Sequence, residues 1–293
     1  MNWSEYKTGV VVALLSAVCF ALSHIFAGLA YTGGVTPITL SATRFFLPTV
    51  ILLILLPLQG NSIFMSKRSG CIAAILGVIT IIYNIAILIA IERLPVPIAI
   101  LIFFLFPIFT GITLTLTGGE AFSPIKFIAT IMALFGLALA LGVAFDRLDG
   151  LGILLAFFAA IGLATVSILS NRLIRGEDPR QATLYMAATA LTIMAVAMTI
   201  RGEFDFPTTT DGWIGFWLSN ILYASGMIAF FYAISMAGAA ATTFFVNLEP
   251  LVVTGAAFLF LGQILLPLQL LGVGIVVGAL FLYARSGSSR EDR

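Results

Sequence analysis

Three charged or titratable side chains lie inside long apolar stretches of the sequence, where they could bind or move charge. They are His24, Arg44 and Glu249, the last directly before Pro250. A charge at membrane depth costs about 2.5–3.5 kcal/mol on insertion scales, so each needs a function or a partner. Glu249 could hold a proton or meet a substrate ammonium group. It could equally have a structural role, bonding to carbonyls freed by a kink or pairing with Arg44.

Arg44 and His24 leave similar alternatives open. Arg44 could clamp a substrate carboxylate through two parallel hydrogen bonds, but the sequence favours a structural role, in which it snorkels or ties two helices together. His24 is the sole histidine, and we interpret it first as a hydrogen-bonded packing residue. One histidine without further donors does not make a zinc site. His24, Arg44 and Glu249 are our candidates for charge handling or coupling.

Two polar helix faces supply candidates for the walls of a cavity. Tyr83 and Asn84 lie on one of them, Asn220 and Tyr223 lie on the other, and Trp217 precedes Asn220 by about one turn. Aromatic and amide groups at midplane depth suit a pocket for a small amphipathic solute, although polar groups also hold membrane helices together. The predicted cavity residues are Tyr83, Asn84, Trp217, Tyr223, Asn247 and Glu249. Trp213 and Tyr283 lie near span ends and are interpreted as an interfacial belt.

The elements that position these residues occur twice in the chain. Shifting the sequence by 143 positions places Pro107 on Pro250 without a gap. A period of about half the chain indicates two copies of one unit rather than a solenoid, and we place the units at residues 1–145 and 146–293. The two prolines predict matched kinks that could act as hinges, although membrane helices also tolerate proline without such a role.

The composition indicates a polytopic membrane protein. Of the 293 residues, 61% are hydrophobic and 9% are charged, and the mean hydropathy is +1.15, whereas soluble domains carry about 25% charged residues. The net charge of +1 gives no indication of a nucleic-acid partner. Cys19 and Cys71 fall in apolar runs and are interpreted as small apolar residues. The expected environment is the lipid bilayer.

We predict an all-α fold with ten transmembrane helices arranged as two inverted five-helix repeats. Each repeat has an odd number of spans, so the second copy is upside down relative to the first, and substrates of such transporters bind near the midplane where the halves meet. The predicted spans are 9–30, 37–58, 70–91, 95–117, 124–145, 151–171, 182–200, 213–236, 239–262 and 266–284.

The basic residues in the connections predict the orientation, because cytoplasmic loops carry an excess of Lys and Arg. Three lie on the side opposite the termini, namely Arg93, Arg147 and Arg201. Ten lie on the side of the termini, namely Lys7, Lys67, Arg68, Lys126, Arg172, Arg175, Arg180, Arg285, Arg290 and Arg293. Both termini are therefore expected in the cytoplasm.

At this level the chain resembles the EamA branch of the drug/metabolite transporter superfamily. The resemblance rests on ten spans, an inverted repeat, Leu-Glu-Pro at 248–250, and Gly-Gly-Glu at 118–120 answered by Leu-Gly-Gln at 261–263. Gln263 departs from the acid that the family usually has there, which weakens a titratable role for that position. The resemblance implies a bacterial inner-membrane exporter of small metabolites, working by alternating access and most similar to aromatic amino acid exporters.

The resulting prediction is a secondary transporter that exports amino acids, with no cofactor and with an undefined oligomeric state. No Gly-x-x-x-x-Gly-Lys-Ser/Thr loop occurs, so ATP does not drive transport on this chain. The alternatives are a drug or nucleotide-sugar carrier of the same fold, an intramembrane enzyme and a channel. For an enzyme, Ser225 with His24 lacks a Gly-x-Ser-Gly context, and Asp146 and Asp149 lack a second acidic cluster.

Overall fold

The computed structural model describes residues 3–142, 149–174, 176–202, 204–261 and 266–288, and the regular structure in these ranges is entirely α-helical. This confirms the predicted all-α fold class. Asp146, Arg147 and Gln263 lie outside the described residues. The helices are α1 (Trp3–Thr32), α2 (Pro37–Thr43), α3 (Phe46–Leu58), α4 (Lys67–Arg93), α5 (Val96–Phe103), α6 (Phe106–Leu116), α7 (Pro124–Ala140), α8 (Gly150–Ile174), α9 (Pro179–Arg201), α10 (Thr210–Ala237), α11 (Ala239–Phe245), α12 (Leu248–Leu261) and α13 (Pro267–Ser288).

Ten segments in this part of the chain have the composition of membrane spans. Nine are long and apolar enough to cross a bilayer, and the tenth, α7, is apolar but has only 17 residues. Three spans consist of two consecutive helices, namely α2 with α3, α5 with α6, and α11 with α12. Numbered along the chain, these composite spans are spans 2, 4 and 9. The described residues thus contain the ten spans that hydropathy predicts.

Each composite span is interrupted about four residues before a proline. A proline ring clashes with the carbonyl of the fourth preceding residue and lacks the N–H that would bond to it. The residues at that distance from Pro48, Pro107 and Pro250 are Arg44, Phe103 and Val246, and α2, α5 and α11 end at or beside them. The breaks predicted at Pro107 and Pro250 are therefore present. The break before Pro48 was not predicted.

The largest interfaces join the two halves of the chain. Span 1 packs along span 8 and span 3 packs along span 6, and the repeat relates these two pairs to each other. A Cβ placed on Gly9 would lie 2.8 Å from Cβ of Ala237, and a Cβ on Gly152 would lie 2.8 Å from Cγ of Leu94. Gly152 and Leu94 are the repeat equivalents of Gly9 and Ala237. The same close approach is thus built twice, between inverted copies.

One predicted interfacial residue is buried instead. Tyr283 is 3% exposed and stacks on Phe244 with ring centroids 4.0 Å apart, because α13 packs against α7 and turns this ring into the core. The interpretation of Tyr283 as part of an interfacial belt is wrong. Trp213, by contrast, is 39% exposed.

Candidate functional site

A groove of about 410 Å³ lies where the two halves meet, between spans 2 and 3 of the first half and spans 7 and 8 of the second. Asn84 and Tyr223, two of the predicted cavity residues, line it together with Arg44. The remaining lining residues are Ile38, Ser41, Phe45, Ile81, Ile85, Leu88, Ile89, Glu92, Met194, Ala197 and Met198. The groove therefore brings together residues that are distant in the sequence.

The groove opens toward the face opposite the two chain termini. Its outer part is lined by Ile38 near the start of α2 and by exposed Glu92 near the end of α4, and both helix ends belong to that face. Nearer the termini, spans 3 and 7 are in close contact. A Cβ on Gly77 would lie 2.6 Å from the carbonyl oxygen of Met186. The groove is thus accessible from one side of the protein and closed on the other.

Arg44 occupies the helix break of span 2 and lies inside this groove. Its guanidinium carbon is 5.2 Å from the ring centroid of Tyr223, which is a cation–π distance. Its Nε is buried, and no hydrogen-bond partner for it occurs among the described residues. The possible Arg44–Glu249 ion pair is absent from the described structure, where Glu249 pairs with His24 instead. The donor of Arg44 is therefore available to a ligand.

Glu249 and His24 join span 9 of the second half to span 1 of the first. His24 Nδ1 lies 3.1 Å from Glu249 Oε1, and the two side chains are 46% and 16% exposed. The imidazole can donate this hydrogen bond when it is protonated and also when it is neutral with its proton on Nδ1. His24 is therefore hydrogen-bonded, as the sequence suggested, but its side chain is exposed and not packed in the interior.

The helix break before Pro250 explains why the Glu249 carboxylate is available to His24. Pro250 leaves the carbonyl of Val246 without its helical partner, and the backbone N–H of Glu249 donates to that carbonyl at 2.9 Å. The side chain of Glu249 is consequently not needed there. Of the alternatives for Glu249, bonding of its carboxyl group to a freed carbonyl is thus not the one adopted in this structure, since the backbone N–H makes that bond.

Three further predicted residues, Tyr83, Asn84 and Tyr223, lie on spans 3 and 8. The ring of Tyr83 packs 6.4 Å from that of Phe103, and the ring of Tyr223 packs 5.5 Å from that of Phe20, one helical turn before His24. Asn84 donates to the carbonyl of Thr80 at 2.8 Å. Of the predicted residues, Arg44, Asn84 and Tyr223 line the groove, whereas His24, Tyr83 and Glu249 are not among its lining residues.

Asn247 and Trp217 lie elsewhere. Asn247 is 2% exposed and donates from Nδ2 to the carbonyl of Phe244 at 2.6 Å, so it bridges the break in span 9. Trp217 is 47% exposed and lines a separate aromatic crevice, next to Asn220. Neither residue lines the central groove. Their assignment to a substrate cavity stays a prediction.

Several groove residues were not found from the sequence, above all Phe45 at the inner end and Met194 on span 7. A proline four residues after Arg44 was the available signal, because the same spacing separates Phe103 from Pro107. That spacing places Arg44 and Phe45 at a helix break. Within the described ranges, no three His, Cys, Asp or Glu side chains are grouped closely enough to hold a metal ion.

Polar contacts close the face that carries the termini. Arg172 donates to Thr117 Oγ1 at 3.0 Å, and Arg180 donates to Gln59 Oε1, so each contact joins the second half to the first. Asp178 caps α9 and pairs with Arg180. Burial acts to raise the pKa of Asp178, but the hydrogen bonds and charge of Arg180 outweigh it and lower that pKa. These contacts would have to separate for the groove to open on this side.

Comparisons with known proteins agree with this architecture. The sequence matches the EamA-like transporter family over residues 7–142 and again over 150–285. No curated protein matches it significantly. Twenty-nine chains of solved structures match the fold; one, titled only "Crystal structure of protein", has a TM-score of 0.80 at 16% identity, covering 94% of this chain and 97% of that one. The family match covers both halves and nearly all of the sequence, and the chain belongs to the EamA-like transporter family.

Proposed function

We propose that this chain is a secondary transporter that exports amino acids, aromatic or other large neutral ones among them, by alternating access. The observation that carries the proposal is the position of Arg44. This arginine stands in a groove between the two halves, with its Nε buried and without a partner among the residues described. A substrate carboxylate would supply that partner through two parallel hydrogen bonds, which arginine forms better than any other side chain.

The other end of a zwitterionic substrate also finds complementary groups. Arg44 lies over the ring of Tyr223 at 5.2 Å. The same ring packs against Phe20, one helical turn before the His24 that bonds to Glu249. An ammonium group bound between Glu249 and the ring face of Tyr223 would gain both charge pairing and a cation–π contact. A site that holds both ends at once favours an amino acid over a simple carboxylic acid or amine, since either of those leaves one charged group unpaired.

The size and lining of the groove support a large apolar side chain on the substrate. Pockets for small molecules typically measure about 300–1,000 Å³, and this groove of about 410 Å³ lies at the lower end. Phe45, Ile81 and Met194 form apolar walls beside Arg44. Methionine adapts its shape to different ligands, which favours a range of neutral amino acids over a single one.

Release on the other side requires the two halves to rock against each other. Transporters built from inverted repeats commonly alternate access around a fixed midplane site in this way. Here the groove is open on one face, while Arg172–Thr117 and Arg180–Gln59 join the halves on the other. The exported substrate would enter when these contacts separate and leave through the groove as it stands in this structure.

The proposed location follows from the distribution of basic residues. With ten Lys and Arg in the connections on the side of the termini and three on the other, we propose an inner membrane with both termini in the cytoplasm. The groove then opens to the outside, as an exporter requires for release. We also propose residues 1–145 and 146–293 as the two rocking units, a small-molecule amino acid as the substrate, and the lipid bilayer as the surrounding partner.

Counterflow in proteoliposomes tests the proposed function directly. Vesicles loaded with unlabelled phenylalanine receive a trace of labelled phenylalanine outside, and transient accumulation of the label is measured with and without competing amino acids, nucleotide sugars and cationic drugs. Wild-type protein should accumulate label, and other large neutral amino acids should suppress it. Arg44→Met should reduce the initial rate by about tenfold or more, because it removes a charged hydrogen bond worth about 1.5–3 kcal/mol.

Arg172→Met is the matched control, because it removes an arginine that bonds to Thr117 away from the groove. Because this contact also joins the two halves, the comparison uses the apparent affinity for phenylalanine, taken from the concentration dependence of counterflow. Arg44→Met should weaken it and Arg172→Met should retain it. Equal loss of affinity in the two variants would contradict the role of Arg44. If folded wild-type protein accumulates no label with any amino acid, the substrate proposal is wrong, and accumulation with a nucleotide sugar or a drug would identify the other type of carrier.

A further inference from the structure

A second cavity, the aromatic crevice, lies beside the groove and is not part of it. Its volume is about 340 Å³, and it is formed by spans 2, 7 and 8 with the connection before span 8. Its walls are almost wholly apolar. They consist of Ala42, Thr43, Phe46, Leu47, Leu191, Ala195, Met198, Phe204, Phe206, Trp213, Phe216, Trp217 and Asn220. Met198 also lines the central groove, so one side chain separates the two cavities.

The aromatic rings of the crevice are arranged to receive a flat molecule. The ring of Phe206 is nearly parallel to two neighbouring rings. Its interplanar angle is 9° with Phe204, at a centroid separation of 6.4 Å, and 7° with Trp213, at 6.2 Å. Phe216 stands edge-on to both Trp213 and Trp217. Aromatic pairs prefer offset-stacked and edge-to-face geometries. A planar aromatic ligand would extend both of these contacts.

One buried polar side chain in the crevice lacks a partner. Asn220 is 2% exposed, and its Nδ2 donates to the carbonyl of Phe216 at 2.8 Å. That bond assigns the orientation of the amide group. The other amide atom, Oδ1, is buried and has no hydrogen-bond partner in the described part of the chain. An unsatisfied buried acceptor costs about 1–3 kcal/mol. A ligand that carries an N–H or O–H group would recover part of this cost.

The inverted repeat shows that the crevice is a specific feature of the second half. The repeat equivalents of Trp213, Phe216, Trp217 and Asn220 are Gly70, Ala73, Ala74 and Gly77. These small residues let α4 pack closely on α9, where a Cβ on Gly70 would lie 2.9 Å from the ring of Tyr185. Large aromatic side chains at the same positions of α10 line an open crevice instead. At the equivalent positions of α4, small residues are sufficient for helix packing. Packing alone therefore does not explain why α10 carries large aromatic residues there.

We propose that this crevice is a second ligand-binding site, for planar aromatic compounds that carry a hydrogen-bond donor, such as arylamines or indoles. The ring of the ligand stacks among Phe206, Trp213 and Trp217, and its donor reaches Asn220 Oδ1 after a small rotation of the amide. The exposed edges of Trp213 and Trp217 allow entry without passage through the groove. Arg44 does not line this site, so the proposal can be tested independently of the proposed transport of amino acids.

Tryptophan fluorescence provides the test. The chain has three tryptophans, and in a Trp3→Phe background the two that remain are those of the crevice. Purified protein in nanodiscs is titrated with 4-nitroaniline and with nitrobenzene, which are quenchers of similar size that differ in one amine donor. We expect saturable quenching by both, with 4-nitroaniline bound about tenfold more tightly, the value expected for one recovered buried hydrogen bond.

Asn220→Leu should abolish the preference for 4-nitroaniline, whereas the matched variant Asn84→Leu, on the wall of the central groove, should retain it, as should Arg44→Met. Thr43→Phe, which fills the crevice and leaves Asn220 in place, should abolish saturable quenching and provides an independent test if Asn220→Leu does not fold. Linear quenching, as expected for probes dissolved in the lipid, would overturn the proposal. So would equal affinity for the two probes, or a preference that survives Asn220→Leu.

Discussion

The place where span 1 meets span 9 differs chemically from its repeat equivalent, where span 6 meets span 4. At the first place His24 pairs with Glu249 at 3.1 Å, and both side chains are partly exposed. The equivalent positions carry Ser167 and Phe106, each fully buried. One interface of the pseudo-symmetric pair is therefore polar and accessible, and the other is dry. Charged residues at membrane depth are costly, and the helix packing that the two equivalent places share does not require this pair, since the other place lacks it.

The backbone, in contrast, is alike at the two places. Span 4 breaks before Pro107 and span 9 breaks before Pro250, at matching positions. The repeat thus supplies the same pair of interrupted helices to both halves, while only one half carries the acid. The two interrupted spans are thus alike in backbone and different in charge.

Span 2 and its equivalent, span 7, differ in their backbone as well as in charge. Arg44 and Pro48 interrupt span 2, whereas α9 runs through without a break, and the residues there are Ala187 and Leu191. The break in span 2 places Arg44 in the groove between the halves. Arg44 therefore lies in a helix break and Glu249 lies in the first turn after one, and neither has a charged counterpart in the other half.

Glu249→Gln compared with Phe106→Leu should give the largest contrast. Glu249→Gln removes the charge that His24 bonds, and a hydrogen bond to a charged group is worth about 1.5–3 kcal/mol, so counterflow should fall by about tenfold to a hundredfold. Phe106→Leu should change the rate by less than about threefold, since it alters only packing. Initial counterflow rates measured between pH 5 and 8 check both expectations.

Two controls sharpen this contrast. His24→Asn should reproduce part of the loss, because Asn can still donate one hydrogen bond to the carboxylate. Ser167→Ala should have no effect on transport. If Glu249→Gln retains full transport and an unchanged pH dependence, Glu249 has no role in proton handling and the polar interface is structural.

Gly9→Ala and Gly152→Ala test whether the two copies of the close helix contact are equally rigid. A Cβ on Gly9 would lie 2.8 Å from the backbone nitrogen of Ala237, whereas a Cβ on Gly152 would meet the side chain of Leu94. A side chain can move aside and a helix backbone cannot. Gly9→Ala should therefore destabilise the protein by about 1–3 kcal/mol and Gly152→Ala by less than about 1 kcal/mol, which thermal unfolding in detergent would measure. Equal decreases in Tm would show that the two interfaces accommodate the added methyl group equally well.

Pro250→Ala compared with Pro107→Ala separates the two helix breaks. Alanine restores the N–H that Val246 lacks as a helical partner, so span 9 straightens and the distance between Glu249 and His24 changes. We expect transport to fall by about fivefold for Pro250→Ala and by less than about twofold for Pro107→Ala, because no charge is displaced in span 4. A larger loss for Pro107→Ala would assign the hinge to the half without the charge.

Much of the fold could be predicted from the sequence because its signals are local and repeated. Hydropathy over about 20 residues defines a span, and the 143-residue offset pairs Pro107 with Pro250 without reference to structure. The family match supports the same division into two copies. The break before Pro48 was missed because it has no counterpart at Leu191, so the repeat did not mark it.

The contacts of the site were harder to predict than its members. Arg44, Tyr83, Tyr223 and Glu249 were selected because polar residues in apolar runs are rare, and of these Arg44 and Tyr223 line the groove. Their partners depend on which helix faces meet, and the sequence does not contain that information. Trp217 illustrates this point, because it shares a helix with Tyr223 but lies in a different cavity.

Substitution of Asp178, at the start of span 7, should give the smallest change in stability of the variants considered. It caps α9 with a charged carboxylate bonded to Arg180, whereas Thr36 provides a neutral cap for α2, which begins span 2. Because the pKa of Asp178 is lowered in the folded protein, its contribution is fully present above the unfolded value of about 3.9 and is lost as the pH falls through the folded value. Asp178→Asn should cost about 0.5–1 kcal/mol near neutral pH, a modest figure since the pair is partly exposed.

The pH profile distinguishes the charged cap from the neutral one. The stability difference between wild type and Asp178→Asn, followed by thermal unfolding, should stay constant from pH 7 to about pH 4 and shrink below it, because Asn does not titrate. The difference for Thr36→Val should be independent of pH over the same range. A constant difference for both variants down to pH 2 would mean that Asp178 acts only as a neutral hydrogen-bond acceptor, and the two span starts would then be chemically equivalent.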